Sequence, residues 1–128
     1  MAVDKNLPIL IVDDYKTMLR IIRNLLKQLG FDNVEEATDG TMALEKLREK
    51  PFGLVISDWN MEPMTGYELL KKVRADEQFK AIPFIMITAE SKTENVVAAK
   101  EAGVSNYIVK PFNAETLKAK IVSVLGQF

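Results

Sequence analysis

Five short apolar runs alternate along the chain with longer segments whose apolar residues recur every three or four positions. The runs are typical of buried strands, and the segments between them are typical of helices with one apolar face. Parallel strands need long crossover connections, which are usually helices, so this alternation predicts a parallel sheet with helices on both faces. The predicted strands are residues 9–12, 34–37, 54–57, 82–88 and 107–109.

The polarity of these runs indicates their order in the sheet. Runs one, three and four are the most apolar and are expected at the centre, whereas runs two and five are shorter or more polar and suit the edges. The order 2-1-3-4-5 of flavodoxin-like doubly wound sheets satisfies this placement. The predicted fold class is therefore α/β, a flavodoxin-like (βα)5 sheet of five parallel strands with a topological switch point between strands one and three.

Polar residues and glycines predict where several of the helices begin and end. Asp39 and Asn113 are candidate N-caps, and residues 65–68 and 91–94 both match the Ser/Thr-x-x-Glu capping box. Gly103 follows the fourth predicted helix directly and is a natural stop for it.

Composition excludes several classes of function. A net charge of -1 disfavours binding to nucleic acid through a basic face, and no apolar run approaches the length of a membrane span. The charged and polar residues 4–6 disfavour a signal peptide, so we expect a cytoplasmic protein. Cysteine and histidine are absent, which leaves carboxylates, hydroxyls and amines as the available reactive groups. A length of 128 residues without repeat or linker predicts a single domain over residues 1–128, with no output domain.

Polar residues stand at the carboxyl end of four predicted strands. Asp13 and Asp14 follow strand one, Asp58 follows strand three, Thr88 ends strand four and Lys110 follows strand five. Each has an ordinary explanation alone, as a helix-starting aspartate, a strand threonine or a loop lysine. Ligands of open α/β sheets bind at this edge, so the joint occurrence of these residues predicts a functional site there.

The charges of this predicted site indicate its chemistry. Two carboxylates about 4 Å apart repel by about 4 kcal/mol at an effective dielectric of 20, so three of them need a cation. Oxygen ligands with access to water suit Mg²⁺, and Lys110 adds a second positive charge. A carboxylate surrounded by a metal, an ammonium and a hydroxyl suits phosphoryl transfer, with Asp58 as the nucleophile.

Several motifs give the chain a resemblance to a known family. They are residues 12–14 (Val-Asp-Asp), 57–61 (Ser-Asp-Trp-Asn-Met), 87–90 (Ile-Thr-Ala-Glu), 101–103 (Glu-Ala-Gly) and 107–112 (Tyr-Ile-Val-Lys-Pro-Phe). With them the sequence resembles the receiver domain of bacterial two-component response regulators over residues 7–125. Within that family it is most similar to the stand-alone chemotaxis response regulators.

The resemblance implies a role for each residue of the acidic cluster. Asp58 would accept a phosphoryl group from the phosphohistidine of a sensor histidine kinase. The Mg²⁺ ligands would be the Asp14 and Asp58 side chains, the backbone carbonyl of Asn60 and, mainly through water, Asp13. The protein would promote its own phosphorylation and dephosphorylation while acting mainly as a signalling switch.

The resemblance also implies how the switch works. Thr88 and Lys110 would contact the phosphoryl oxygens, and movement of Thr88 would let Tyr107 swing inward. The Lys110–Pro111 peptide bond would be cis.

Rate-tuning and partner-binding positions follow from the same resemblance. Asn60 and Glu90 would set how fast the phosphoryl group is lost. Trp59, which is expected to be exposed, would bind partners together with Glu90, Tyr107 and Lys120. These partners would include a flagellar motor switch protein or a phosphatase. The protein is expected to be a monomer and to bind neither nucleic acid nor a membrane.

The loop after Met61 departs from the family pattern. Receivers usually carry proline directly after this methionine and aspartate before the glycine, whereas this chain has Glu62, then Pro63, and has Thr65 before Gly66. Because proline restricts the residue before it, the restraint falls on Glu62 rather than on Met61. The direction of the Asn60 carbonyl and the choice of docking partner could both change.

Several functions remain open at this stage. Within the family, the chain could be a motor-switch binder, a phosphate sink or a phosphorelay intermediate, and the residues around Trp59 and Tyr107 favour chemotaxis. A non-phosphorylated interaction module is a further alternative, which the intact acidic set disfavours. An electron carrier binding FMN is disfavoured more strongly, since Asp13 and Asp14 would repel its phosphate.

Overall fold

The computed structural model of the protein describes residues 4–88, 93–110 and 112–126, with only the backbone of residues 93–95. Strands and helices alternate through these residues as predicted. The strands are β1 (Ile9–Val12), β2 (Val34–Ala37), β3 (Leu54–Asp58), β4 (Phe84–Thr88) and β5 (Asn106–Val109). The helices are α1 (Lys16–Gln28), α2 (Gly40–Glu49), α3 (Gly66–Ala75), α4 (Thr93–Glu101) and α5 (Ala114–Leu125).

The five strands form one parallel sheet in the order β2-β1-β3-β4-β5. This confirms the predicted fold class, the strand order and the placement of the two more polar strands at the edges. Val12 lies opposite Ser57, and Thr88 lies opposite Val109, so the strands end at nearly the same level. The residues that follow them are therefore gathered at one edge.

The sheet buries an apolar layer on each face because its strands alternate their side chains. On β1, Ile9 and Ile11 pack into one layer with α1 and α5, while Leu10 and Val12 pack into the other with α2 and α3. All four side chains are fully buried. This two-sided burial explains why the strands read as continuous apolar runs rather than as alternating sequences.

The fourth strand begins two residues later than predicted. Residues 82 and 83 are apolar, but only the Pro83 carbonyl bonds to a neighbouring strand, at Val55 of β3. The Pro83 carbonyl accepts from Val55 N at 3.0 Å, and the Ile82 carbonyl accepts from the Arg74 guanidinium at 2.6 Å. Pro83 also lacks an N–H to donate, so the regular strand starts at Phe84.

The capping predictions within the described residues are confirmed. Thr65 and Glu68 form both bonds of a capping box: Glu68 N donates to Thr65 Oγ1 at 3.1 Å, and Thr65 N donates to Glu68 Oε1 at 3.2 Å. Asp39 and Asn113 each accept a backbone N–H of the first turn, at 2.8 Å and 2.9 Å. Gly103 has a φ of +93°, which suits a helix stop. The second predicted capping box, residues 91–94, depends on residues outside the described part of the chain.

Within the described residues, no helix combines the length and apolar character that crossing a bilayer requires.

Candidate functional site

Three aspartates predicted at the ends of two strands come together at the carboxyl edge of the sheet. Each of Asp13, Asp14 and Asp58 offers a carboxylate oxygen, and these three oxygens all lie within 4.8 Å of one another. The arrangement follows from topology, because β1 and β3 are neighbours at the switch point. Asp13 and Asp58 are 1% and 4% exposed, whereas Asp14 is open to solvent.

Lys110 reaches the same cluster from the other side of β4. Its Nζ lies 3.0 Å from Asp58 Oδ1. The backbone N–H of Lys110 donates to the carbonyl of Thr88 at 2.8 Å, which fixes the start of the loop after β5. Thr88 itself is 4% exposed and ends the strand between Asp58 and Lys110. The structure thus brings together the three aspartates, the threonine-bearing strand end and the lysine.

Burial and mutual repulsion raise the pKa values of the two inner aspartates. The pKa of Asp13 rises to about 6, mainly because the side chain is buried. The hydrogen bond from the backbone N–H of Tyr15 lowers this pKa, and the charge of Asp58 raises it. Burial also raises the pKa of Asp58, against the opposing effect of the Lys110 ammonium. The cluster therefore holds its negative charge at a cost in free energy that a bound cation would offset.

The donor groups fit a hard divalent cation. Asp13 Oδ1 accepts from Tyr15 N at 2.9 Å, but Asp13 Oδ2 is buried and has no hydrogen-bond partner among the described residues. Buried polar atoms are rarely left in this state, and a carboxylate that lies close to two others is a suitable ligand for Mg²⁺. Asn60 is exposed at the rim, where it lines an open cleft together with Asp14.

The loop after Asp58 is held close to the site by Gly66, to which sequence reasoning assigned no packing role. Gly66 N donates to the Trp59 carbonyl at 2.8 Å. A Cβ at Gly66 would lie 2.1 Å from the backbone oxygen of Asp58, so a larger residue does not fit there. A glycine at the first position of a predicted helix, eight residues after Asp58, was the available signal. The Glu62–Pro63 peptide bond in this loop is cis.

Trp59 is half-buried rather than exposed, so that prediction was wrong. Its ring stacks on Tyr67 with centroids 5.3 Å apart and an interplanar angle of 14°. Tyr67 lies on the first turn of α3, and Lys71 Nζ lies 5.3 Å from the centroid of its ring. Sequence reasoning missed Tyr67 because the stack depends on how the loop returns toward the helix.

Tyr107 and Lys120 lie on β5 and α5, away from the acidic cluster along the sheet. Tyr107 is half-buried, and Lys120 Nζ lies 5.2 Å from the centroid of its ring. The two residues therefore share one surface. The predicted roles of Glu90 and of the Lys110–Pro111 bond lie outside the described residues.

The sequence matches known proteins over nearly its whole length. The profile of the response regulator receiver domain family matches residues 9–122. The chain is 55% identical over 118 residues to chemotaxis protein CheY-3 of Vibrio cholerae, covering 92% of this chain and 91% of that protein. It is 53% identical over 116 residues to chemotaxis protein CheY of Pseudomonas aeruginosa, covering 91% and 94%. Among solved structures, it is similar to Vibrio cholerae CheY4, with a TM-score of 0.87, 38% identity and coverage of 94% and 99%.

Proposed function

The chain belongs to the response regulator receiver domain family, and from this premise we propose that it takes a phosphoryl group onto Asp58 in a Mg²⁺-dependent reaction. The phosphoryl donor is a phosphohistidine of a sensor histidine kinase. The phosphorylated protein then binds a target in chemotaxis, which we propose to be the flagellar motor switch. The similarity to CheY proteins over more than 90% of the chain supports the chemotaxis assignment.

One observation carries the proposal: the oxygens of Asp13, Asp14 and Asp58 meet within 4.8 Å while Lys110 Nζ lies 3.0 Å from Asp58 Oδ1. Asp58 is the only one of the three acids that the lysine contacts in the described structure. This places a positive charge beside the oxygen that would be next to the incoming phosphoryl group. Asp58 is therefore the best candidate for the nucleophile, and Asp13 and Asp14 are the candidates for holding the cation.

The protein's own groups account for most of the proposed mechanism. A carboxylate oxygen of Asp58 bonds to phosphorus while the phosphorus–nitrogen bond breaks and the donor's imidazole leaves with the electron pair. Lys110 offsets the negative charge that the phosphoryl oxygens bring into the site. Thr88 ends the strand between them, where its hydroxyl can donate to a phosphoryl oxygen. Mg²⁺, when bound by Asp13, Asp14, Asp58 and the Asn60 carbonyl, would neutralise further charge on the transferred group.

Phosphorylation would change the surface formed by α4, β5 and α5. A phosphoaspartate adds a charge of about −1.5 to −2 at the end of β3, which attracts the Thr88 hydroxyl and Lys110. Movement of Thr88 alters the packing beside Tyr107, which is half-buried on the neighbouring strand. Tyr107 and Lys120, which already contact each other, are the proposed reporters of this change to a partner.

Intact-protein mass spectrometry tests the phosphorylation. With Mg²⁺ and a small phosphodonor, the wild-type protein should gain the mass of one phosphoryl group, and this gain should be lost in Asp58→Asn and in the presence of a chelator. Asp32→Asn, which changes an exposed aspartate before β2, is the matched control and should behave as wild type. Modification of Asp58→Asn to the wild-type extent would refute the assignment.

A pull-down with and without beryllofluoride, which mimics the phosphoryl group, tests the output. Retention of a flagellar switch protein only with beryllofluoride supports the effector role. Equal retention in both conditions contradicts a phosphorylation-dependent switch. Phosphorylation without any phosphorylation-dependent partner would instead favour a phosphate sink.

A further inference from the structure

An open cleft beside the acidic cluster is lined by a carboxylate that the proposed phosphorylation reaction does not use. The cleft has a volume of about 340 Å³ and is lined by Asp14, Asn60, Met61, Glu62 and Thr65. Asp14 belongs both to this cleft and to the cluster around Asp58, so the cleft opens directly beside the site. Glu62 is exposed and stands in the loop that departs from the usual receiver sequence.

The cleft is an opening of the site through which the leaving group of a phosphodonor can pass. In phosphoryl transfer the attacking and leaving atoms are roughly in line on opposite sides of phosphorus. Asp58 is buried at the base of the site, so the leaving group departs toward the open rim. The Lys110 ammonium lies beside Asp58, where it offsets negative charge. At the rim, the described residues that line the cleft include two acidic residues and no basic residue.

The hydroxyl and the backbone N–H of Thr65 offer little to balance these acids. Thr65 Oγ1 accepts from Glu68 N at 3.1 Å, and Thr65 N donates to Glu68 Oε1 at 3.2 Å. These groups are therefore already occupied in capping α3. A leaving group in the cleft would therefore lie near the negative charges of Asp14 and Glu62. Of these two, Asp14 is a proposed Mg²⁺ ligand and Glu62 is not.

We infer that Glu62 selects phosphodonors by the charge of their leaving group, disfavouring anionic leaving groups relative to nitrogen leaving groups. This inference rests on the proposed function. With an acyl phosphate, an Asp58 oxygen bonds to phosphorus while the phosphorus–oxygen bond breaks, and a carboxylate leaves with the electron pair. With phosphoramidate, the phosphorus–nitrogen bond breaks, and the already protonated nitrogen leaves as neutral ammonia. Phosphohistidine belongs to the second class, so Glu62 would favour a protein donor over small acyl phosphates.

The test compares the second-order rate constants for an acyl phosphate and for phosphoramidate at saturating Mg²⁺. One unit charge at about 6 to 7 Å in water changes a rate by about threefold. Glu62→Gln should therefore raise the acyl phosphate rate about threefold relative to the phosphoramidate rate. Glu62→Asp, which keeps the charge, should retain most of the wild-type preference.

The matched control is Glu101→Gln. Glu101 is exposed and ends α4, at the opposite end of the helix layer from the site, and its removal should leave the ratio of the two rates unchanged. In about 1 M salt, where the screening length is about 3 Å, the effect of Glu62→Gln should largely disappear.

Each outcome bears on a distinct part of the inference. An unchanged ratio in Glu62→Gln, or equal changes with both donors, would overturn the role of Glu62 while leaving phosphorylation of Asp58 intact. A wild-type protein that neither donor phosphorylates would refute the proposed function itself, and this inference with it.

Discussion

At the scale of single residues, the carboxylate of Asp13 is costly to the stability of the folded protein. It is 1% exposed, one of its oxygens has no hydrogen-bond partner among the described residues, and it faces the charge of Asp58. Burial is the main reason that its pKa rises to about 6. A protein selected for stability alone would not retain such a group, so the cost supports a role in binding a cation.

Asp13→Asn should stabilise the metal-free protein. The unfolded chain loses the Asp13 proton near pH 3.8 and the folded protein near pH 6, so ionisation lowers stability progressively as pH rises through this window. Above the window the lost stability is constant and is about 3 kcal/mol at most. Asparagine keeps an oxygen to accept from Tyr15 N and carries no charge.

Urea unfolding in chelator checks this prediction. Asp13→Asn should exceed wild type by about 1–3 kcal/mol at about pH 7.5, with the difference shrinking toward about pH 4. The exposed Asp32→Asn should show no comparable gain. Equal or lower stability of Asp13→Asn at the higher pH would contradict the assigned cost of the buried charge.

At the scale of elements, the start of α3 is fitted against the end of β3. Gly66 allows the helix to begin within contact of the Asp58 backbone oxygen, and its N–H donates to the Trp59 carbonyl. The capping box of Thr65 and Glu68 fixes the same turn. The loop that carries Asn60 is therefore closed by backbone contacts between its first residue, Trp59, and the start of α3.

Gly66→Ala should destabilise the protein and slow its phosphorylation. The new methyl group would lie 2.1 Å from a backbone oxygen, so the helix or the end of the strand must shift. Overpacking of this kind costs about 1–3 kcal/mol, and a backbone contact leads us to expect the upper part of that range. Denaturant unfolding and the phosphorylation rate provide the measurements.

Gly40→Ala is the matched control for that substitution. Gly40 also opens a helix and is buried, but its new Cβ would meet mainly the Met64 side chain, which can move. Its cost should be smaller, and the phosphorylation rate should change less. Equal costs for the two substitutions would argue against the tight contact at Asp58.

A second element-scale feature is the guanidinium of Arg74, which joins α3 to two loops. It donates to the carbonyl of Gly103 at 2.8 Å, to that of Ile82 at 2.6 Å and to that of Lys80 at 3.1 Å. The bond to Gly103 attaches the turn between α4 and β5 to α3. The other two bonds hold the segment that enters β4.

Arg74→Lys should lower the free energy of unfolding by about 2 kcal/mol, since an ammonium cannot satisfy three carbonyls held by a planar fork. Amide hydrogen exchange should quicken in residues 102–105, because the guanidinium bonds to Gly103 and Ser105 within this turn. The exposed Arg48→Lys should change neither measurement appreciably. Unchanged exchange in Arg74→Lys would show that the turn is held by other contacts.

At the scale of the whole molecule, sequence patterns predicted the alternating strands and helices and the two edge strands, whereas the full strand order came from known doubly wound sheets. Strands that are buried on both faces and helices with capped ends leave local signals in the sequence, so their positions could be predicted. The polar residues Glu35 and Glu36 likewise indicated that β2 lies at an edge of the sheet. The meeting of Asp13, Asp58 and Lys110 followed from topology, since strand order alone brings their strand ends together. The stacking of Trp59 and the fit at Gly66 depend on the path of one loop, which no periodic pattern describes.

The repulsion among the three carboxylates at the sheet edge leads to a prediction for the stability of the whole protein. A ligand that binds only the folded state adds RT ln(1 + [L]/Kd) to stability, or about 1.4 kcal/mol at ten times its Kd. Because the three carboxylates are assembled only on folding, Mg²⁺ should raise the free energy of unfolding by this amount. Asp14→Asn, which changes the exposed member of the cluster, should reduce the gain without unfolding the protein. Thermal and urea unfolding with MgCl₂ against NaCl of equal ionic strength separates binding from screening, and an equal gain from both salts would show that the cluster does not hold the ion.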